Sequence, residues 1–283
     1  MAVTVSVGTR AGLVSGTAAA VRDVVDHYEL LRMLVIKDLK IKYKASAVGL
    51  LWSLINPLMM MLIYTAIFGT IFHSTKPDFP VFILSGLLCW NFFGTALPPA
   101  TMSLVGNSNL VRKTRFPTSL LPASVVLSNC INFLISLLLL FGLVLIFRHP
   151  LGISLVMLPV LVAAQVAFTL GISLLLSALN VYFRDVEHFL GILLTVWFFA
   201  TPILYPREAV VNRGNEAARL IIELNPMTWL VGAYRSIFYG DVDSAGHFVN
   251  AWPNPRPLWG FVALSAVLLV FGFVVFVRLS RRF

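Results

Sequence analysis

The sequence predicts an all-α integral membrane protein with six transmembrane helices, an amphipathic interface helix on their amino-terminal side and re-entrant pieces between the fifth and sixth spans. Three observations carry this. Hydrophobic residues make up 59% of the chain and charged residues only 12%, against about 25% charge in a soluble domain. Apolar segments recur that are long enough to cross about 30 Å of hydrocarbon, which takes roughly 20 residues each. Lys and Arg gather in the short flanks of those segments, where membrane orientation places them. The formal net charge of +9 therefore reports topology. It does not report nucleic-acid binding, because the basic residues are not collected in a soluble domain with a recognition motif.

Residues 1–27, with Ala, Thr, Gly and Val prominent, contain no apolar core followed by a cleavage motif, so they are read as a disordered start without a cleavable signal. Residues 28–48 form the interface helix. Here Arg32, Lys37, Lys40 and Lys44 alternate with Leu31, Leu34, Val35, Leu39 and Ile41, and the segment runs directly into an apolar stretch. Such a helix lies on a membrane surface, its apolar side at the headgroup boundary and its lysines reaching water or anionic lipid. Gly49 marks the corner into the bilayer. The same charges also fit a juxtamembrane cluster that only sets topology.

Residues 49–283 form the six-helix transmembrane domain. Its spans are expected at Leu50 to Phe72, Val81 to Met102, Leu120 to Phe147, Leu155 to Leu179, Phe189 to Leu204 and Trp259 to Leu279. With the amino terminus inside, the inner segments hold Lys37 to Lys44, then Arg112, Lys113 and Arg115, then Arg184, then Arg278, Arg281 and Arg282, while the short outer loops hold only Lys76 and Arg148. Both termini are accordingly expected to be cytoplasmic.

The first inner loop, GNSNLVRKTRFPTSLLP from Gly106 to Pro122, has the make-up of a short capped helix. Asn107, Ser108 and Asn109 can cap it, Arg112, Lys113 and Arg115 supply a basic face, Pro117 and Pro122 keep it from merging with the next span, and Leu110 and Phe116 fall within the same candidate coupling segment. A basic helix of this kind suits a groove on a soluble motor domain, and the same arginines also suit a topology anchor. In the second inner loop, Arg184 and Asp185 are adjacent and so point to different neighbours. They fit a salt-bridged corner as well as a contact to a partner.

Between the fifth and sixth spans, Glu216 to Leu224 reads as a short amphipathic helix ended by Asn225-Pro226. Met227 to Tyr239 is apolar but too short to span and carries Arg235, which suits a re-entrant or interfacial piece. The stretch from Gly240 to Pro257 is rich in turn residues.

The chemistry available is limited. Cys89 and Cys130 lack CxxC spacing, and the histidines show no HExxH or HxH pattern, so no metal site is expected. No Gly is followed by Lys, hence there is no P-loop, and an ATP motor would have to be another chain. The polar content of the spans is amides and hydroxyls such as Asn56, Asn91, Asn129, Asn132, Gln165 and Ser173. That argues against a proton- or ion-coupled carrier, which needs titratable groups at membrane depth. Aromatics are the remaining resource. Trp52, Tyr64, Phe68, Trp90, Phe93, Trp197 and Phe198 could stack on the CH-rich faces of sugar rings, or serve as interface belt and packing.

The run KDLKIKYKASAVGLLWSLINPL, with Asp38, its spaced lysines, Tyr43, Gly49 to Trp52 and Asn56-Pro57 in order, resembles the first-helix signature of the ABC exporter permeases that move lipid-linked polysaccharides, the O-antigen and teichoic-acid group. The resemblance extends over nearly the whole chain from Tyr28. It implies a permease subunit in the cytoplasmic (inner) membrane that works as a homodimer with two copies of a separate nucleotide-binding ATPase, which holds ATP and Mg. It also implies that Arg32, Lys37, Asp38, Lys40, Tyr43 and Lys44 belong to the interface helix. Tyr182-Phe183-Arg184-Asp185 would lie near the ATPase, and two helices would dip into the membrane at the outer mouth. The cargo would be a polyprenyl-diphosphate-linked glycan. A permease of the same architecture for a small hydrophobic drug or lipid is the nearest alternative. A membrane-bound envelope-synthesis enzyme or scaffold is the alternative from another class.

Overall fold

The computed structural model describes residues 26–44, 46, 48–71, 76–109, 117–211, 216–242 and 247–280. Residues 1–25, the greater part of the expected disordered start, lie outside them, as do Leu110, Arg112, Lys113, Arg115 and Phe116 of the first inner loop.

Helix α1, Tyr28–Tyr43, ends where Lys44 turns extended. The backbone then reaches Gly49, whose φ of 54° lies in the left-handed region that favours glycine. The N–H of Gly49 donates to Ser46 Oγ at 3.0 Å, so the expected corner is a defined turn. A 3-10 turn, Gly49–Leu51, leads into α2, Trp52–Tyr64, which continues as a π turn over Thr65–Ile71. α3 is Phe79–Gly106, α4 Leu120–Ile146 and α5 Leu158–Tyr182, the last preceded by a 3-10 turn at Ile153–Met157. α6 is Asp185–Ala200. The short α7, Glu208–Val211, and α8, Glu216–Leu224, precede α9, Pro226–Phe238. Strands β1, Asp241–Val242, and β2, Phe248–Val249, form a two-stranded antiparallel ladder within the segment read as turns, and α10 is Pro255–Ser280.

Among the described residues, five helical segments are long and apolar enough to cross a membrane: Gly49–Gly69, Phe79–Gly106, Leu120–Ile146, Ile153–Tyr182 and Pro255–Ser280. The segment expected as the fifth of six spans behaves differently. α6 has 16 residues, about 24 Å at 1.5 Å per residue. It stops because Pro202 cannot continue a helix and forces Thr201 out of the helical region, to φ −100° and ψ 131°. Thr201 to Leu204, expected within the span, are therefore not helical.

α3 is the central helix. It is buried along most of its length against α4, α5 and α9, whereas α2 buries only Pro57 and Met61. α5 and α10 pack closely because Gly171 meets the backbone of Leu268 and Gly272 meets that of Gly171, with no Cβ to hold the helices apart. A second cluster joins Leu34 of α1 to Leu104, Leu120, Leu121, Leu174, Ala178 and Phe276. It brings α1 and the last turns of α10 to one end of the bundle.

Candidate functional site

The polar groups of α4 decide where α1 sits. An apolar helix in hydrocarbon tolerates Ser and Asn where they find partners. Ser124, Asn129, Asn132 and Ser136 fall near one face of α4, where residues spaced by three and four come together. Ser124 Oγ donates to Asp38 Oδ2 at 3.0 Å, and Lys42 Nζ donates to Asn129 Oδ1 at 3.2 Å. The Tyr43 hydroxyl donates to Asn132 Oδ1 at 2.7 Å and lies 2.6 Å from Ser53 Oγ. Ser136 Oγ donates to the carbonyl of Ser53 at 2.7 Å. Asp38, Lys42 and Tyr43 thus fasten α1 and the start of α2 to α4. Desolvation raises the Asp38 carboxyl above its usual value, with the Ser124 bond and Lys37 acting in the opposite sense.

The remaining interface-helix residues face outward. Arg32 is exposed and lies 3.8 Å from Glu29, and Lys37, Lys40 and Lys44 are exposed. So are the apolar side chains of Met33, Ile36 and Ile41, which leaves α1 an outer surface that is both apolar and basic.

At the same end of the bundle, Asn107 closes the C-terminus of α3, and Ser108 and Asn109 after it are helical. Asn107 Nδ2 donates to the Ser103 carbonyl at 2.8 Å. The carbonyl of Pro117 accepts from the N–H of Leu120 at 3.0 Å, starting α4. Arg184 and Asp185 are exposed at the first turn of α6.

Six of the seven aromatic candidates come together. Trp90 lies 5.8 Å from Phe93, 6.4 Å from Trp197 and 5.5 Å from Phe198, between ring centroids. Tyr64 lies 6.5 Å from both Phe68 and Phe198. Trp90 and Phe93 are buried, and they back the partly exposed Tyr64, Phe68, Trp197 and Phe198. Trp52 is apart from them, exposed at the α1 end of α2.

The opposite end holds α9 in place through Arg235. Its Nη1 and Nη2 donate to the carbonyls of Pro202 and Ile203 at 2.6 and 2.5 Å, Nε donates to that of Phe82 at 3.4 Å, and the guanidinium carbon stands 3.7 Å from the centroid of the Phe82 ring. Asn225 caps α9 by accepting from the N–H of Met227, and it also accepts from Trp197 Nε1 at 2.8 Å. His149 Nε2 lies 3.1 Å from Asp78 Oδ2, and Nδ1 lies 3.0 Å from the Tyr239 carbonyl.

Sequence reasoning had marked Asn129 and Asn132 only as polar content and Arg235 only as a reason against spanning. The spacing of Asn129, Asn132 and Ser136 by three and four was the available signal for the α1 dock. Arg235 offered none, because its partners are main-chain carbonyls.

Apolar helices of spanning length, with a basic helix folded back on one end, define a multi-pass membrane protein. The chain belongs to the ABC-2 type transporter family, whose model matches residues 29–239. It is 37% identical over 249 residues to the O-antigen export system permease protein RfbA of Myxococcus xanthus, covering 88% of this chain and 92% of that one. The protein of the same name from Klebsiella pneumoniae is 30% identical over 257 residues, or 90% and 94% of the two chains. The polysialic acid transport protein KpsM of Escherichia coli is 24% identical over 180 residues, or 62% and 70%.

Proposed function

We propose that this chain is the permease subunit of an ATP-driven exporter that moves a lipid-linked polysaccharide across the cytoplasmic membrane. The observation that carries the reading is likeness along about nine-tenths of the chain to permeases named for O-antigen export. With no P-loop of its own, the subunit depends on a separate ATPase that binds ATP and Mg.

In this reading α6 is a short fifth crossing that brings the total to six, extended by the non-helical Thr201 to Leu204, and α7 to α9 form the re-entrant region at the outer mouth. Both termini lie in the cytoplasm, consistent with α1 and the end of α10 meeting at one end of the bundle. Two copies pair through the bare faces of α2 and α6, where Leu62, Ile63, Phe189, Ile192, Val196 and Phe199 are exposed. Two ATPase copies press on the segment from Gly106 to Pro117, on Arg184 and Asp185, and on the outer surface of α1. The glycan slides past Tyr64, Phe68, Trp197 and Phe198, whose rings hold sugar faces without fixing one register.

The test is co-purification with the ATPase encoded beside it, followed by ATP hydrolysis in lipid nanodiscs with and without lipid-linked glycan. A two-plus-two complex whose hydrolysis responds to the glycan is expected. Arg112→Glu and Arg115→Glu are expected to insert normally and to recover less ATPase. Hydrolysis that responds to small lipids and ignores the glycan would sink the polysaccharide cargo.

A further inference from the structure

A cavity of about 620 Å³ opens between the end of α1 and helices α2, α3 and α4. It contains the one side-chain donor of the α1 dock that finds no acceptor. Asn132 is 9% exposed, its Oδ1 is occupied by the Tyr43 hydroxyl, and its Nδ2 is buried without a hydrogen-bond partner. A buried donor left without an acceptor is costly, and such a group facing a cavity calls for a ligand. One turn away on α4, the Asn129 amide is used at both ends, Oδ1 by Lys42 and Nδ2 by the Val125 carbonyl. The deep part of the cavity therefore offers donors, namely the Asn132 amide nitrogen and the remaining N–H bonds of Lys42. No Asp or Glu lines it.

Donors with a cation and no acidic neighbour select an anionic oxygen over a neutral hydroxyl, because an ionised acceptor makes the stronger bond. The walls set Trp52, Met60, Phe92 and Phe133 beside the neutral polar side chains of Asn56, Asn91 and Thr95, and Trp52 and Met60 are exposed on the outer side of α2. The cavity also sits at the corner where a surface helix turns into the hydrocarbon, which is the depth of lipid headgroups. We propose that this cavity binds the phosphate of a lipid, with Asn132 Nδ2 and the Lys42 ammonium as donors and the lipid chain leaving past Trp52 and Met60. Desolvation lowers the Lys42 ammonium below its usual value, although the residue as a whole is exposed. A phosphate beside it would favour the charged form.

Two sources supply this chemistry, the bulk phospholipid headgroup and the diphosphate linker of the exported lipid, and the second rests on the export reading above. Native mass spectrometry of the full chain in detergent can count retained dioctanoylphosphatidic acid, farnesyl diphosphate and the neutral dioctanoylglycerol. Asn132→Asp keeps the acceptor for Tyr43 and removes the free donor; Lys42→Gln keeps a donor for Asn129 and removes the charge. Each variant is expected to weaken retention of the phosphate probes about tenfold, and Lys42→Gln is expected to do so at an unchanged thermal midpoint. Arg256→Gln, an exposed cation at the start of α10 and outside the cavity, is expected to change nothing.

Retention of both phosphate probes assigns the site to lipid phosphate in general. Retention of farnesyl diphosphate alone assigns it to the export linker. Equal retention of dioctanoylglycerol, or undiminished retention of the phosphate probes by Asn132→Asp and Lys42→Gln, overturns the site. If hydrolysis by the ATPase complex responds to lipid-linked glycan while the variants retain the probes undiminished, the site fails and the export reading stands. If the variants lose the probes while hydrolysis ignores the glycan, the export reading fails and the site stands.

Discussion

Arg235 Nη1 lies 2.6 Å from the carbonyl oxygen of Pro202, a contact between the only arginine of α9 and the proline that stops α6. Past Ala200 the chain has no helix to satisfy its carbonyls, and the guanidinium fork supplies two of the missing donors. Arg235→Met leaves the Pro202 and Ile203 carbonyls short of partners, at about 1–3 kcal/mol for each such group. A lower thermal midpoint in detergent and faster proteolysis within residues 201–211 are expected. Arg235→Lys should rescue only part of this, since an ammonium cannot present a planar fork. Wild-type stability in Arg235→Met would show that the carbonyls find other donors.

Asp38 predicts a pH dependence. Burial raises its carboxyl above the ordinary value, against the opposing pull of the Ser124 bond and Lys37. A raised acid binds its proton more tightly in the folded chain than in the unfolded one, where the pKa is about 3.9. Stability contributed at low pH is therefore lost as pH rises through the folded value, and stays lost above it. Asp38→Asn keeps an acceptor for Ser124 without the charge. Its thermal midpoint should exceed that of the native chain at about pH 7 and converge with it near about pH 4. A gap that does not vary with pH would count against burial as the cause.

Tyr43 bridges two helices, donating to Asn132 Oδ1 at 2.7 Å and lying 2.6 Å from Ser53 Oγ. Tyr43→Phe removes the bridge and leaves a buried amide oxygen unmatched, for an expected loss of about 1–3 kcal/mol. Because the other ties of α1 are Asp38, Lys42 and the packing of Leu34, the loss should be local. Hydrogen exchange should quicken over residues 28–43 and remain slow in α3. Uniform quickening would mean that Tyr43 supports the whole bundle.

The spans were legible because a helix in hydrocarbon must be apolar for its full length, and the observed α4, Leu120–Ile146, departs from the expected span by one residue. α8 was legible for another reason. Its charges Glu216, Arg219 and Glu223 recur at helical spacing, and Arg219 Nε meets Glu223 Oε1 at 3.0 Å. The end of α6 was not legible, because an apolar run continues through Pro202 to Leu204 and hydropathy does not register a broken helix. The α1 dock was half legible. Asp38 and Tyr43 stood out as polar residues in an ordered signature, but their partners lie 86 and 89 residues away on α4, beyond any local pattern. The aromatic candidates could be named singly, yet that Trp90 and Phe93 are buried behind Tyr64, Phe68, Trp197 and Phe198 depends on how α2, α3 and α6 pack.

The close approach of α5 and α10 tests whether the end of the chain is held as tightly as the core. A Cβ at Gly171 would come within 2.6 Å of the Leu268 backbone, and one at Gly272 would overlap the carbonyl oxygen of Gly171. Backbone cannot swing aside as a side chain can, so even a methyl group must push the helices apart, at about 1–3 kcal/mol for an overpacked site. Gly272→Ala should lower the thermal midpoint, and Gly272→Val should lower it further. Ala substitution at Gly142 of α4, where an added Cβ meets nothing within 4 Å, should leave it unchanged. Because α10 reaches the α1 cluster through Phe276, separation at Gly272 should also quicken hydrogen exchange in the last turns of α10 and around Leu34. Exchange confined to the site of substitution would mean that the two helices yield locally and that the α1 end of the bundle is held independently of this contact.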